Sequence, residues 1–115
     1  MGKIYAGIRV KGRGAVVTVG DDNGKRGLPP RNDLYDHSPH GFEWGYGGSG
    51  PAQLALAICA DVLSDDERAL RVYQEFKRRM LAPIDGDEFS MTEARVLEII
   101  AEIEREQAAN ETAMD

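Results

Sequence analysis

A nearly unbroken apolar run from Ala52 to Leu63 dictates much of what this chain can become. Only Gln53 and Asp61 interrupt the run, so a helix formed here would have almost no polar face and would be buried on most sides. Such a helix cannot stand alone in water, because its apolar surface needs cover from other elements. The sequence therefore predicts a central helix with the remaining elements packed around it.

Two more helices are predicted downstream. The segment Ser64-Asp65-Asp66-Glu67 ends one helix and begins the next, because Ser and Asp suit caps and acids suit the positive end of a helix dipole. The second helix should run to about Leu81. Its apolar residues recur at helical spacing: Ala69, Val72, Tyr73, Phe76 and Met80. Charged residues four positions apart predict a separate, solvent-facing side: Glu67, Arg71, Glu75 and Arg79.

The third helix follows Ser90-Met91-Thr92-Glu93, which offers either a capping box or a simple Thr92 cap. Four residues form its apolar stripe: Val96, Ile99, Ile100 and Ile103. From Gln107 to Asp115 the periodicity is lost, so this end is expected to fray.

The N-terminal part is rich in β-forming residues. Lys3–Val10 and Gly14–Gly20, joined by Lys11-Gly12-Arg13, predict an antiparallel hairpin. Alternation along the first strand predicts one apolar face, made by Ile4, Ala6 and Ile8. Four further segments have weaker patterns: residues 21–30 read as a loop, 33–35 and 42–46 as short strands, and 83–89 as a turn or short extended piece. The prediction is one α+β domain over residues 1–115, with a small N-terminal antiparallel sheet of three or four strands packed against three helices.

Composition restricts the functional classes. The chain has 115 residues, 42% of them hydrophobic, and no apolar stretch of membrane-spanning length. No charged-then-apolar targeting segment is visible, so a cytoplasmic protein is expected. The net charge of −6 is unevenly distributed: residues 1–31 carry seven Lys and Arg against two Asp, whereas residues 85–115 carry ten acids against two Arg. The single Cys59 lies among apolar residues and is interpreted as a buried structural thiol.

A glycine-rich and aromatic block, residues 41–51, precedes the apolar run. Its letters satisfy G-x-G-x-x-G, but the following helix leads to another helix and not to the second strand of a dinucleotide-binding unit. Pro51 also excludes a P-loop and a G-x-S-x-G nucleophile elbow, and it suits the first turn of a helix capped by Ser49 or Gly50. Two interpretations stay open: a tight structural corner, or an anion held by glycine amides at a helix N-terminus.

Two sets of side chains near this block are candidates for binding. Asp36, His37, His40 and Glu43 could supply transition-metal ligands, although no HExxH or paired CxxC accompanies them, and histidines bonded within a loop are the plainer reading. Three aromatic residues at period two, Phe42, Trp44 and Tyr46, would share one side of a strand. They could form a stacking platform, an apolar anchor for a partner, or part of the core.

The block "HSPHGFEWGYGGSGPAQLALAICADVL" resembles a family of small proteins of unknown function from bacteria, archaea and their phages. The similarity continues through "RALRVYQEFKRRMLAPI" and "FSMTEARV", and Phe89 stands where such relatives often have tryptophan. The resemblance implies a phage or mobile-element context, but it supplies no catalytic or binding residues.

These observations predict a non-catalytic protein-interaction module with no cofactor. Its predicted contact residues lie in the glycine-rich block: Phe42, Trp44, Tyr46, Gly47, Gly48, Ser49 and Gly50. One alternative is a binder of a small anionic ligand or nucleotide phosphate that uses the amides of Gly47–Gly50. Another is nucleic-acid binding by the basic hairpin, through Arg9, Lys11 and Arg13. A homodimer is also possible, with Ile99 and Ile103 of the third helix at the seam.

Overall fold

The computed structural model describes residues 2–114, with side chains described to residue 112. Four strands form one antiparallel sheet in the order β3-β2-β1-β4. Their bounds are β1 Ile4–Val10, β2 Gly14–Asp21, β3 Gly24–Gly27 and β4 Glu88–Thr92. The predicted β1–β2 hairpin is confirmed, with Val10 opposite Gly14 and Ile4 opposite Gly20.

Two of the four strands differ from those predicted. The third strand, β3, lies inside the segment that was expected to be a loop, and the fourth, β4, comes from the region before the last helix. Neither residues 33–35 nor residues 42–46 form a strand. The sequence Gly-Lys-Arg-Gly of β3 has no β propensity of its own, so its pairing depends on the neighbouring strand β2.

The buried face of β1 is the opposite of the one predicted. Tyr5 is fully buried, whereas Ile4 and Ile8 are 47% and 46% exposed. The side of the sheet that carries Tyr5, Val17 and Val19 faces the helices. The prediction was wrong because it ranked the two faces by hydrophobicity alone, while Tyr5 and Arg9 are accommodated inside by polar partners.

Three helices supply the rest of the core. Helix α1 spans Ser49–Leu63, and every residue from Gly50 to Ala60 is buried, as expected of a central helix. Helix α2 spans Asp66–Phe76 and continues as a π-helical segment, Lys77–Leu81. Helix α3 spans Glu93–Met114. The predicted α+β fold, with a small antiparallel sheet and three helices, is confirmed.

The helix ends agree only in part with the sequence. Asp65 caps α2 by accepting from the Arg68 amide, and the Thr92 hydroxyl accepts from the Arg95 amide at the start of α3. The N-cap of α1 is Gly48, one residue before the predicted caps. Helix α3 continues to Met114 and the Gln107 amide donates to the Arg71 carbonyl, and fraying from residue 107 stays a prediction. Asp115 lies outside the described residues.

The stripe of α3 points into this core. Ile99 and Ile103 are buried in the same cluster as residues of α1 and α2. The sequence had suggested that they could lie at a dimer seam, but this burial places them inside the core. Arg68 bonds Glu104 through Nε and Nη2, and Arg79 joins Glu106, so both arginines fasten α2 and the π-helical segment to α3. The face predicted to be purely solvated therefore also makes helix-to-helix ion pairs.

Candidate functional site

The aromatic residues of the glycine-rich block do not form a common surface. Trp44 is fully buried, and its indole N–H donates to the Gly86 carbonyl at 3.1 Å. Phe89 meets the Trp44 ring edge-on, with centroids 4.9 Å apart. Phe42 is half-buried, and Tyr46 is 51% exposed. Trp44 thus holds the loop to the sheet, and of the three rings only Tyr46 offers a partner much surface.

Arg9 is the second structural tie of this region. Its Nε donates to Glu43 at 3.0 Å, its Nη1 to the Gly86 carbonyl and Asp87, and its Nη2 to the Trp44 carbonyl at 2.8 Å. The guanidinium also lies 4.6 Å from the centre of the Trp44 ring. Because its donors are used inside the fold, Arg9 is not available to a nucleic-acid phosphate, and the basic hairpin keeps only Lys11 and Arg13 at its exposed loop.

The glycines at the start of α1 make room for their neighbours. A Cβ on Gly48 would lie 2.4 Å from the Tyr46 ring, and a Cβ on Gly50 would lie 2.7 Å from Cβ of Glu43. Gly47, in contrast, has open space around it and a backbone oxygen that accepts from Lys77. Gly50 is therefore required by the close packing of this corner, whereas a larger residue at position 48 would displace the half-exposed Tyr46 ring.

A depression of about 240 Å³ lies at the same corner. It brings together several of the predicted site residues: His40, Phe42, Tyr46, Ser49 and Gly50. Arg13 also lines it, which favours an anion, but so does the acidic Glu43, which opposes one. Gly47, Gly48 and Trp44 are not part of its lining.

His37 belongs to a hydrogen-bonded loop. Its Nε2 lies 2.6 Å from the Tyr73 hydroxyl, and its ring stacks on Tyr35 with centroids 4.2 Å apart. Burial, with the nearby charge of Lys77, lowers the pKa of His37. The residues described in the structure include no group of three or more His, Cys, Asp or Glu side chains placed to hold a metal ion.

Gln53 and Asp61, the two polar residues of α1, organise opposite parts of the fold. Gln53 is fully buried; its oxygen accepts from the His37 and Ser38 amides, and its nitrogen donates to the Pro30 carbonyl at 2.6 Å. This one side chain fixes the long connection between β3 and α1.

Asp61 joins α1 to the sheet. Its carboxylate accepts from the Tyr5 hydroxyl at 2.7 Å, from Lys3 at 3.2 Å and from Arg26 at 2.6 Å. Burial opposes its ionisation, but the hydrogen bonds from these three donors prevail and lower the pKa of Asp61. Burial and the bond to Asp61 together raise the pKa of Tyr5. All three donors bond to the same carboxylate. The cluster therefore connects α1 to the sheet, and the negative charge of Asp61 is balanced within the fold.

The most unusual surface is the side of the sheet that the helices leave uncovered, called here the open face. The register places Ile8 directly opposite Val16, and Ile4 lies four residues before Ile8 in β1, on the same side of the sheet. These three large apolar residues are all more than one-third exposed. A depression of about 590 Å³ is lined by Ile8 and Val16 and extends over Ala6 and Thr18, with Lys25 and Glu88 on the outer strands.

Sequence reasoning missed the open face because it assigned Ile4, Ala6 and Ile8 to the core. The alternation along β1 shows that the strand has two different faces. It does not show which face is buried, because both faces carry side chains large enough for a core. Isolated exposed apolar residues are ordinary, whereas a contiguous patch on a rigid sheet indicates a contact surface.

A family model matches residues 5–102 of this chain. The chain belongs to DUF6166, a family of unknown function. The match begins in β1 and ends inside α3, so it includes the sheet from Tyr5 onward, with Arg9, Trp44 and the Ile8–Val16 pair of the open face, but not Ile4. No curated protein and no solved structure matches the chain.

Membership in DUF6166 assigns no role to any residue. No helix found between residues 2 and 114 is long and apolar enough to cross a membrane.

Proposed function

We propose that the protein is a non-catalytic protein-interaction module that binds its partner through the open face of the sheet. The observation that carries the proposal is the exposure of the cross-strand pair Ile8 and Val16, with Ile4 also exposed on the same face of β1. Burying a large aliphatic side chain completely is worth about 1.5–3 kcal/mol, so covering these partly exposed residues would contribute about 1 kcal/mol each. The strands hold the residues in place before binding, which limits the entropy lost on association.

Binding of a small anion at the corner before α1 is the second candidate. The depression lined by Arg13, Ser49 and Gly50 supports it, because a helix N-terminus and a guanidinium both attract negative charge. Glu43 packs against Gly50 and brings a carboxylate to the same corner, which weakens this candidate relative to the open face.

Nucleic-acid binding has less support. Arg9 is committed to Glu43, Asp87 and two backbone carbonyls. Phe89 borders the depression on the open face, but its ring packs edge-on against the buried Trp44 and is not presented for stacking on a base. Lys11 and Arg13 alone would give two phosphate contacts, which is too few for tight binding at physiological salt.

The matched pair Ile8→Lys and Leu97→Lys tests the proposal. Ile8 lies opposite Glu88, so a lysine there gains a cross-strand partner and the sheet is expected to stay folded. Leu97 is also exposed but belongs to α3, which packs on the side of the sheet opposite the open face. The immobilised wild type and both variants, with folding checked by circular dichroism, are compared for partner capture from cell lysate by quantitative mass spectrometry.

We expect capture to be lost with Ile8→Lys and retained with Leu97→Lys. Equal capture by all three proteins would show that the open face is not the contact surface. Calorimetry with inorganic phosphate and a nucleotide panel tests the second candidate, for which Arg13→Ala should abolish any heat of binding.

A further inference from the structure

We infer that the partner of the open face is a second copy of this chain, stacked sheet against sheet around a two-fold axis that lies between the sheets and runs perpendicular to the strands. The inference rests on the proposed function, because it names the occupant of the same surface. It follows from the order of side chains across the face, from the twist of the sheet and from the charges at the strand ends.

The face consists of rows that cross the strands. One row contains only small residues: Ser90, Ala6, Thr18 and Gly27. The next row, two residues along β1, contains Ile8 and Val16. Because the rows are about 6.6 Å apart, a two-fold axis midway between them exchanges one row with the other. Ile8 and Val16 of each copy then enter the row of small residues on the other copy.

The same operation matches the rest of the face. Along β1 it places Ile4 over Val10 of the second copy, so this exposed isoleucine also meets an apolar residue. Glu88, at the end of the Ile8 row, comes over Ser90 of the second copy, whose hydroxyl can donate to it. Lys25 is level with Ile4 on the outer strand β3 and stays at the solvated rim.

Twist makes the two surfaces fit. Every sheet of this kind is saddle-shaped, and rotation about an in-plane axis perpendicular to its strands produces a second saddle that follows the first at constant separation. Two such sheets pack with their faces about 10 Å apart, as in a β-sandwich. Where the face of one copy is concave, the face of the other copy is therefore convex, and the two surfaces fit together.

The ends of the hairpin strands carry opposite charges. Lys11 and Arg13 lie in the loop between β1 and β2, and Asp21 and Asp22 lie at the turn between β2 and β3. These two turns are at opposite ends of β2. An axis perpendicular to the strands brings the basic loop of one copy to the acidic turn of the other, twice per dimer.

The area predicts the strength of association. The face measures roughly 17 Å along the strands and 19 Å across them, from standard strand dimensions. These dimensions give roughly 320 Å² of flat area on each copy and about 650 Å² for the two, which is below the size of stable specific interfaces. The dimer is therefore expected to be weak, with a dissociation constant in the micromolar range or above.

Sedimentation velocity on the full chain, from about 1 µM to several hundred µM, tests the inference. Wild type and Leu97→Lys should associate as concentration rises, whereas Ile8→Lys should stay monomeric. Ala6→Leu is the decisive variant, because it enlarges the apolar patch but fills the row that receives Ile8. Interlocking rows predict that it weakens association at least tenfold, whereas non-specific stickiness would strengthen it.

Charge reversal gives an independent readout. The variants Lys11→Glu/Arg13→Glu and Asp21→Lys/Asp22→Lys should each associate more weakly than wild type at low salt, and their equimolar mixture should recover association. A wild type that is monomeric at every concentration would refute the second copy as occupant. If Ile8→Lys still loses capture of another protein, the interaction module survives that result; if capture is unaffected as well, both proposals fail.

Discussion

Replacing Gln53 by methionine tests how far one buried amide holds the long connection between β3 and α1. The substitution preserves the length of the side chain but removes its acceptor for the His37 and Ser38 amides and its donor to the Pro30 carbonyl. Each backbone group left buried without a partner destabilises a protein by about 1–3 kcal/mol. These groups are only partly buried, so water can reach some of them, and the expected total is about 3 kcal/mol.

That value would be a large fraction of the 5–15 kcal/mol typical of a domain's stability. Urea unfolding can be followed by the fluorescence of Trp44, the only tryptophan and a fully buried one. Gln107→Met is the matched control, because Gln107 makes one exposed hydrogen bond to the Arg71 carbonyl, and it should change the free energy of unfolding by less than about 0.5 kcal/mol. A loss below about 1 kcal/mol for Gln53→Met would refute the reasoning. Hydrogen exchange at the His37 and Ser38 amides should accelerate in the variant.

Three further predictions concern single sites. The pKa of Asp61 is lower in the folded than in the unfolded protein, so its contribution to stability is present above about pH 4 and is lost as the pH falls through the folded pKa. Asp61→Asn should therefore make the free energy of unfolding less dependent on pH in the acid range. An unchanged pH dependence would contradict this. Gly50→Ala should destabilise the fold by about 1–3 kcal/mol through its clash with Glu43, whereas Gly47→Ala, which meets open space, should be neutral in thermal unfolding. Cys59 is buried, and burial raises the pKa of its thiol. The thiol should therefore not react with a disulfide reagent in the folded protein, but it should react promptly in concentrated urea. Reaction in native buffer would show that α1 opens.

The helices were predictable because their signals are local. The apolar run of α1, the Asp65 cap of α2 and the stripe of α3 each follow from residues within one or two turns. The strand β3 was not predictable in this way, since its four residues are exposed and its pairing depends on the edge of β2 that β1 leaves open. Pairing of β4 with β1 depends on a contact between distant parts of the sequence that no local pattern encodes.

The candidate site depended on a single choice, namely which face of β1 meets the helices. Hydropathy favoured Ile4, Ala6 and Ile8, but the fold buries Tyr5, whose hydroxyl donates a hydrogen bond to Asp61 on α1. The predicted aromatic anchors differ in exposure. Trp44 is buried in the core and donates a hydrogen bond to the Gly86 carbonyl, while Tyr46 is exposed. Sequence pattern indicates that a residue has a role in packing or contact, and only the three-dimensional partners decide between the two.

The position of β1 at the centre of the sheet determines when the protein can finish folding. One neighbour, β2, follows it immediately, but the other, β4, lies beyond all of α1 and α2. Closing so long a loop is entropically slow, and a ribosome delivers the N-terminus first. The nascent hairpin must therefore wait with one edge of β1 unpaired and Tyr5, Val17 and Val19 uncovered until the later segments emerge. During that interval the growing chain is at its most vulnerable to aggregation and depends on speed of synthesis or on chaperones.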